Sequence, residues 1–337
     1  MNKIGIAVIG CGYFGPSLVK HFYENPTSDV VFCCDLDPDR LALMKLRHPD
    51  VTITRDYKDV LKRSDVDAVV IATPVSTHYA IAKQALEAGK HVLIEKPITD
   101  KVSEAEDLIE TLERLGLTLM VDHTLIYKGA VRKIKEIIDS GTLGDIYYFD
   151  AVRVNLGLFQ QDVNVLWDLA PHDLSVMDYL IDKQPIAVAA VGSSHFHSHI
   201  ENIAYLTVKY ENNLLGHIHV NWLAPTKIRL TMIGGSKKMI VLDDMEISEK
   251  VKIYDCSVSM GEGKEGMFKA RVQYRTGDIW IPKWDQTDAM KVECGHFLEC
   301  IREGKQPITD GIRGLKVVRI LEAAERSVKK DGMMIKL

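Results

Sequence analysis

Long apolar runs are missing from this 337-residue chain. No stretch approaches the roughly 18 residues that read as a membrane-spanning helix, so none is expected. Blocks of basic residues are missing too. Lys+Arg total 42 against Asp+Glu 47, a formal net charge of −5, so nucleic acid is not an expected partner. A locally basic site for an anionic small substrate stays compatible with that balance. The six cysteines (Cys11, Cys33, Cys34, Cys256, Cys294 and Cys300) contain no C-x-x-C pair. That speaks against a disulfide framework and for a reduced, cytoplasmic protein with buried thiols. Internal repeats and low-complexity tracts are absent. Val8-Ile9-Gly10-Cys11 looks like a lipoprotein cleavage site, but the apolar segment before it is too short for a signal peptide. A buried first strand is the better reading.

What is present is ordinary globular material: 46% hydrophobic and 26% charged residues, enough for about two domains. Over residues 1–122, short apolar runs alternate with helical spacing. Residues 3–9, Val30–Cys34, Ala68–Ala72, His91–Ile94 and Leu117–Val121 read as strands. Ser17–Tyr23, Arg40–Arg47, Thr77–Ala88 and Ser103–Leu115 read as helices. This is the pattern of a Rossmann-like, doubly wound parallel sheet. After about residue 122 the grammar changes. A helix over Ala130–Ser140 is followed by alternating runs such as Ile146–Val154, Ala204–Tyr210 and Leu215–Trp222. These predict an α+β domain over 123–337 with a large, mostly antiparallel open sheet. The closing helices, Ala289–Glu303 and Gly311–Lys329, are candidates to pack back on the first domain.

Three motifs carry chemistry. Gly10-Cys11-Gly12-Tyr13-Phe14-Gly15 fits G-x-G-x-x-G between a strand and a helix. Its glycines would let the backbone approach a pyrophosphate held at the helix N-terminus. Asp35 ends the second strand 20 residues after Gly15, where a carboxylate takes a ribose 2′-hydroxyl. Asp35 and Asp37 would repel a 2′-phosphate, favouring NAD over NADP; Arg40, one turn on, keeps NADP open.

The second motif is Glu95-Lys96-Pro97, after the apolar run Val92-Leu93-Ile94. Pro97 forbids helix at Lys96 and fixes a charged pair at the carboxyl end of a strand, the edge where ligands sit in open parallel sheets. A plain surface lysine is the alternative. The third is Asp168-Leu-Ala-Pro171-His172. Pro171 suits a first helical position, which would put Asp168 just before a helix and His172 in its first turn. A cap-region acid is the alternative. His195-Phe-His197-Ser-His199 alternates but has only Glu201 nearby, so it reads as a solvated loop or edge and no metal site is expected. His217, His219 and Asn221 share one strand face, lining either a cleft or a contact between subunits.

Together these motifs resemble the glucose–fructose oxidoreductase / inositol dehydrogenase / MocA family over essentially the whole chain. The matching residues are the glycine loop, Ala72-Thr73-Pro74 with His78, Glu95-Lys96-Pro97, the segment Ile134–Gly144, and the D-x-x-x-H pair Asp168 and His172. The family often carries a Gly-Gly run before that Asp. Here Asp162-Val-Asn-Val-Leu-Trp167 stands in its place, nearer to the subgroup of sugar-nucleotide metabolism.

The resemblance implies NAD-dependent interconversion of a ring hydroxyl and a ketone on a sugar or nucleotide-sugar, with C3 of a UDP-sugar as one case. Lys96, Asp168 and His172 are the implied catalytic residues. Gly10, Gly12, Tyr13, Phe14, Gly15, Asp35, Thr73, Pro74, His78, Glu95 and Lys96 would hold the cofactor. His123, Tyr127, Arg153, Asn155 and Trp167 are the expected substrate contacts. A homo-oligomer, dimer or tetramer, is also implied. Other readings are a cyclitol dehydrogenase, an NAD-dependent glycosidase, or a non-catalytic NAD-sensing regulator.

Overall fold

The computed structural model describes residues 3–157, 159, 163–196, 200–260 and 272–337. It forms two compact units: Met1–Tyr127 with Thr287–Arg319, and Lys128–Gln286 with Ile320–Leu337. The first unit runs to Tyr127, against an expected boundary at 122, and takes in residues 287–319, part of the closing segment that was a candidate to pack back on it. The reason is local. Tyr127 is buried with its hydroxyl 3.1 Å from Thr309 Oγ1, so the chain leaves this core only after it.

The first unit is a six-stranded parallel sheet. Its strands are β1 (Ile4–Ile9), β2 (Ser28–Cys34), β3 (Thr52–Thr54), β4 (Ala68–Ile71), β5 (His91–Glu95) and β6 (Leu119–Asp122), in the order β3-β2-β1-β4-β5-β6. Helices α1 (Gly15–Glu24), α2 (Pro38–Arg47), α3 (Tyr57–Leu61), α4 (His78–Glu87) and α5 (Val102–Leu115) make the crossovers. Central strands are buried on both faces, so they read as unbroken apolar runs: Ile6-Ala7-Val8 and Val92-Leu93-Ile94 are fully enclosed. The strand order reverses beside β1, whose carboxyl end therefore opens a crevice.

The second unit holds α6 (Gly129–Asp139), β7 (Ile146–Leu156), α7 (Val165–Ile181), β8 (Pro185–Ser193), β9 (Ile203–Tyr210), β10 (Leu215–Asn221), β11 (Leu223–Gly235), β12 (Met239–Asp243) and β13 (Val251–Tyr254). With β14 (Ser257–Met260), β15 (Val272–Arg275), β16 (Ile279–Trp280) and, near the C-terminus, β17 (Ile335–Lys336), the strands form a nine-stranded sheet and a separate β14–β15 pair. The large sheet runs β16-β13-β12-β11-β7-β10-β9-β8-β17, and only β7–β10 pair in parallel. Alternation gives it two distinct faces. Gly216, Ile218 and Val220 turn toward α7; a Cβ at Gly216 would meet Met177 Sδ at 2.4 Å. His217, His219 and Asn221 therefore lie on the opposite face. There Tyr205 stacks on His219 with ring centroids 4.4 Å apart. Helices α8 (Ala289–Glu303) and α9 (Gly311–Val328) complete the chain.

One helix start differs from its sequence reading. α7 begins at Val165, with Asn164 as its N-cap, and Pro171 lies inside it. Asn164 Oδ1 accepts from Trp167 N at 3.2 Å, which fixes the start three residues before Asp168. The proline removes only the hydrogen bond that residue 171 would have made.

Candidate active site

At the end of β1 the chain turns back through Gly10, whose φ is +97°. A Cβ there would lie 2.4 Å from the Ala72 carbonyl, and one at Gly15 would lie 2.0 Å from the Gly10 carbonyl. Both positions are closed to any side chain. At α1, Phe14 occupies the N-cap without a side-chain hydrogen bond, and the first turn carries no acid. Pro16 has no N–H, and the Ser17 and Leu18 amides donate to the Phe14 carbonyl at 2.9 and 3.3 Å, so an anion would be drawn by the positive end of the helix dipole at these residues. Tyr13 stands 90% exposed beside them. Asp35 closes the other side of the loop: its Oδ2 accepts from Cys11 N at 2.7 Å and its Oδ1 from Asp37 N at 2.9 Å. Arg40 bridges Asp35 at 3.7 Å and Asp37 at 3.4 Å. A helix N-terminus without an acid, glycines at close approach and a fixed carboxylate fit a dinucleotide, with pyrophosphate on α1 and a ribose at Asp35.

The carboxyl ends of β4 and β5 form the adjoining wall. His78 is buried, with Nε2 2.9 Å from the Thr73 carbonyl and Nδ1 2.9 Å from the Pro97 carbonyl. Burial lowers its pKa, so the neutral ring donates to one carbonyl at a time. Its role is to tie the two strand-end loops together. Lys96, joined to Pro97 by a cis peptide bond, is half-buried. Its backbone N–H donates to Glu95 Oε2 at 3.3 Å.

Behind Lys96 lies an acidic core. Glu95 is paired in register with Asp122 of β6, and Glu293 of α8 joins them; all three carboxyls are buried. Burial and the neighbouring Asp122 push the Glu95 and Glu293 carboxyls well above their usual range. His123, 2% exposed, has no partner on either ring nitrogen among the described residues. Burial and the Lys96 charge hold its pKa at about 3.

In the second unit, Asp168 and His172 sit one helical turn apart on α7, both half-buried, so they share a face. Asp168 Oδ2 accepts the indole N–H of Trp222 at 3.0 Å. Arg153 of β7 is 5% exposed and grips Asp173 with both ends of its fork, at 2.7 and 2.8 Å. Asn155, two residues on, lies half-buried on that same sheet face.

A family model for the oxidoreductase family with an NAD-binding Rossmann fold matches residues 4–123, and one for the GFO/IDH/MocA C-terminal domain matches residues 131–241. This chain belongs to the Gfo/Idh/MocA oxidoreductase family. It is an NAD-binding enzyme of that family, and its two units carry the family's parallel and mostly antiparallel sheets. Among curated relatives, the uncharacterised oxidoreductase YrbE of Bacillus subtilis (strain 168) is 24% identical, over 97% of this chain and 95% of its own length. The D-apiose dehydrogenase of Paraburkholderia graminis is 22% identical, over 98% of this chain and 89% of its own. Among solved structures, the UDP-N-acetylglucosamine 3-dehydrogenase GnnA of Acidithiobacillus ferrooxidans superposes with a TM-score of 0.80 at 24% identity. That match covers 98% of this chain and 99% of GnnA, and it is a likeness of fold.

Within the family frame, the expected site residues divide. Gly10, Gly12, Tyr13, Phe14, Gly15 and Asp35 gather at one loop, and Thr73, Pro74, Glu95 and Lys96 sit at adjacent strand ends. Others of the expected residues have contacts inside the protein. His78 bridges loops, and His123 is enclosed. Tyr127 is bound to Thr309, Arg153 is held by Asp173, and Trp167 donates to Glu325 at 3.3 Å. Burying a polar or charged group without cost requires a partner, and each of these except His123 has found one within its own unit. Of the His195–His199 run, residues 197 and 199 lie outside the described residues. His195 Nδ1 meets the Asn202 side-chain amide at 2.7 Å. The face of His217 and His219 is opposite α7, so it does not line the side that carries Asp168. Trp222 and Glu293 were not foreseen: nothing in the local sequence tells a buried indole donor from core packing, or a buried helical Glu from a surface one. No helix among the described residues is long and apolar enough to cross a membrane.

Proposed function

We propose that this enzyme interconverts a ring hydroxyl and a ketone of a sugar or nucleotide-sugar, with NAD as the preferred cofactor. The observation that carries the reading is the pairing of an intact dinucleotide cradle with Lys96 at the end of β5, together with the Asp168–His172 pair on one face of α7. When bound, the nicotinamide supplies the hydride acceptor or donor. His172 takes the hydroxyl proton, since an imidazole titrates near neutrality. The Lys96 ammonium hydrogen-bonds the same oxygen and stabilises the alkoxide as it develops. Asp168, held by Trp222, orients His172 or takes a neighbouring hydroxyl. The fold likeness to a UDP-N-acetylglucosamine 3-dehydrogenase and the kinship with a D-apiose dehydrogenase make sugars the substrate class to test first.

Asp35 supports NAD over NADP, because its carboxylate sits where a 2′-phosphate would bring like charge. The sheet face opposite α7 supports a homo-oligomer: Val191, Tyr205 and Leu215 are exposed on it. Reduction of NAD should be followed against UDP-sugars, free sugars and inositols. Full activity retained by Lys96→Ala and His172→Ala on the best substrate would refute the mechanism.

A further inference from the structure

Glu95, Asp122 and Glu293 bring three carboxyls together in the core of the first unit. Glu95 Oε1, Asp122 Oδ2 and both Glu293 oxygens are buried and have no hydrogen-bond donor in bonding geometry among the described residues. The Thr124 hydroxyl also lies beside Glu293, but it is directed at Asp122 Oδ1, which takes the Thr124 N–H as well at 3.2 Å. Three buried carboxylates in contact would combine mutual repulsion with unmet acceptors, a state that burial cannot sustain. Protons placed between them resolve both problems at once. Asp122 lies within hydrogen-bonding reach of each of the other two carboxyls. It already accepts from Thr124, so it is the natural carboxylate of the set, and its Oδ2 is the free acceptor for both neighbours.

The other groups facing this cluster add little charge. They are His123 at the end of β6, Tyr127 from the following turn, Cys294 on α8 and Lys96 after β5. His123, Tyr127 and Cys294 are all held neutral by burial, which leaves the Lys96 ammonium as the one adjacent cation named here.

We propose that Glu293 is a positioning residue: Glu95 and Glu293 each keep a proton at neutral pH and donate it to Asp122, so Lys96 faces a cluster of net charge −1 rather than −3. A fully ionised cluster would hold the ammonium inward by Coulomb attraction. A singly charged one attracts it less. The use of this device in turnover rests on the Lys96 role argued above; the protonation itself does not.

The test is infrared spectroscopy of the full chain near about pH 7, where protonated and ionised carboxyls absorb separately. The wild type should show a buried carboxylic-acid band, and Glu293→Gln should lose about half of it while Glu95 keeps its proton. Stability supplies a second readout. A carboxyl whose folded pKa is raised makes the native state bind the extra proton, so stability falls as pH rises above the usual value of 4.5. Glu293→Gln should flatten that fall. Absence of the band in the wild type, or an unchanged band in the variant, would overturn the proposal. If the variant does not fold, the wild-type spectrum decides. Neither readout requires turnover, so inactive or fully active Lys96 variants bear on the functional reading alone.

Discussion

Trp222 donates its indole N–H to Asp168 Oδ2 at 3.0 Å, linking the residue between β10 and β11 to the first turns of α7. The indole is itself fixed: its backbone N–H donates to the Asn202 carbonyl at 2.9 Å, and its carbonyl accepts from Gly157 N at 3.0 Å. Trp222→Phe keeps most of the packing and removes the donor. A hydrogen bond to a charged acceptor is worth about 1.5–3 kcal/mol, so kcat/KM should fall about tenfold or more. The loss should appear in kcat/KM at a pH where wild type and variant are both fully folded by circular dichroism; unchanged kcat/KM would remove Asp168 positioning from the mechanism.

Arg153 and Asp173 form an ion pair sealed from solvent, with side chains 6% and 7% exposed. Removing one partner strands the other. Arg153→Met should destabilise the protein by roughly 3–5 kcal/mol, and Arg153→Met with Asp173→Leu by much less. Urea unfolding of the single and double variants gives the comparison. Equal losses in both would mean that Arg153 has a partner other than Asp173.

Arg40 reaches both Asp35 and Asp37. Asp35→Ser removes one carboxylate and leaves Arg40 available to a 2′-phosphate. The ratio of kcat/KM for NAD over NADP should drop by roughly 10–100-fold, the effect of about 1.4–2.8 kcal/mol. Steady-state kinetics with both cofactors on one substrate measures it; an unmoved ratio would take Asp35 out of cofactor selection.

His123 has a folded pKa of about 3 against a usual 6.5. Between those values the unfolded chain binds a proton that the native state refuses. Stability therefore rises with pH across this window, by about 1.4 kcal/mol per unit from this residue. His123→Phe lacks the titration, so it should lose about 2–3 kcal/mol less than wild type on going from about pH 6 to about pH 4. Denaturant unfolding at the two pH values tests this, and parallel losses in both proteins would contradict it.

Much of the first unit was legible in the chain. Strands buried on both faces must be apolar throughout, and their helices begin and end at strong signals, so Val92–Ile94 and Ala289–Glu303 read correctly. The glycine loop was equally plain, because a Cβ at Gly10 or Gly15 cannot be accommodated. Pro171 misled: a proline well inside a helix reads as a start, and the true cap, Asn164, has no special neighbour to advertise it. The internal partners of Arg153, Tyr127 and Trp167 were hidden for a related reason. Polar and aromatic residues near a motif look the same in sequence whether they face a ligand or pair with a neighbour in the core.

By itself, then, the sequence determined the local grammar: where backbone must bend, which runs must be buried, which cofactor class the loop after β1 can hold, and that Lys96 stands at a strand end. Those are properties of a few adjacent residues. Tertiary structure decided which polar groups are engaged. Arg153 meets Asp173 from 20 positions away, Trp222 meets Asp168 across 54, and Glu293 reaches Asp122 of β6 from helix α8. No local pattern encodes such partners, because long-range electrostatics and hydrogen bonding are set by which side chains the fold brings within a few ångströms of one another.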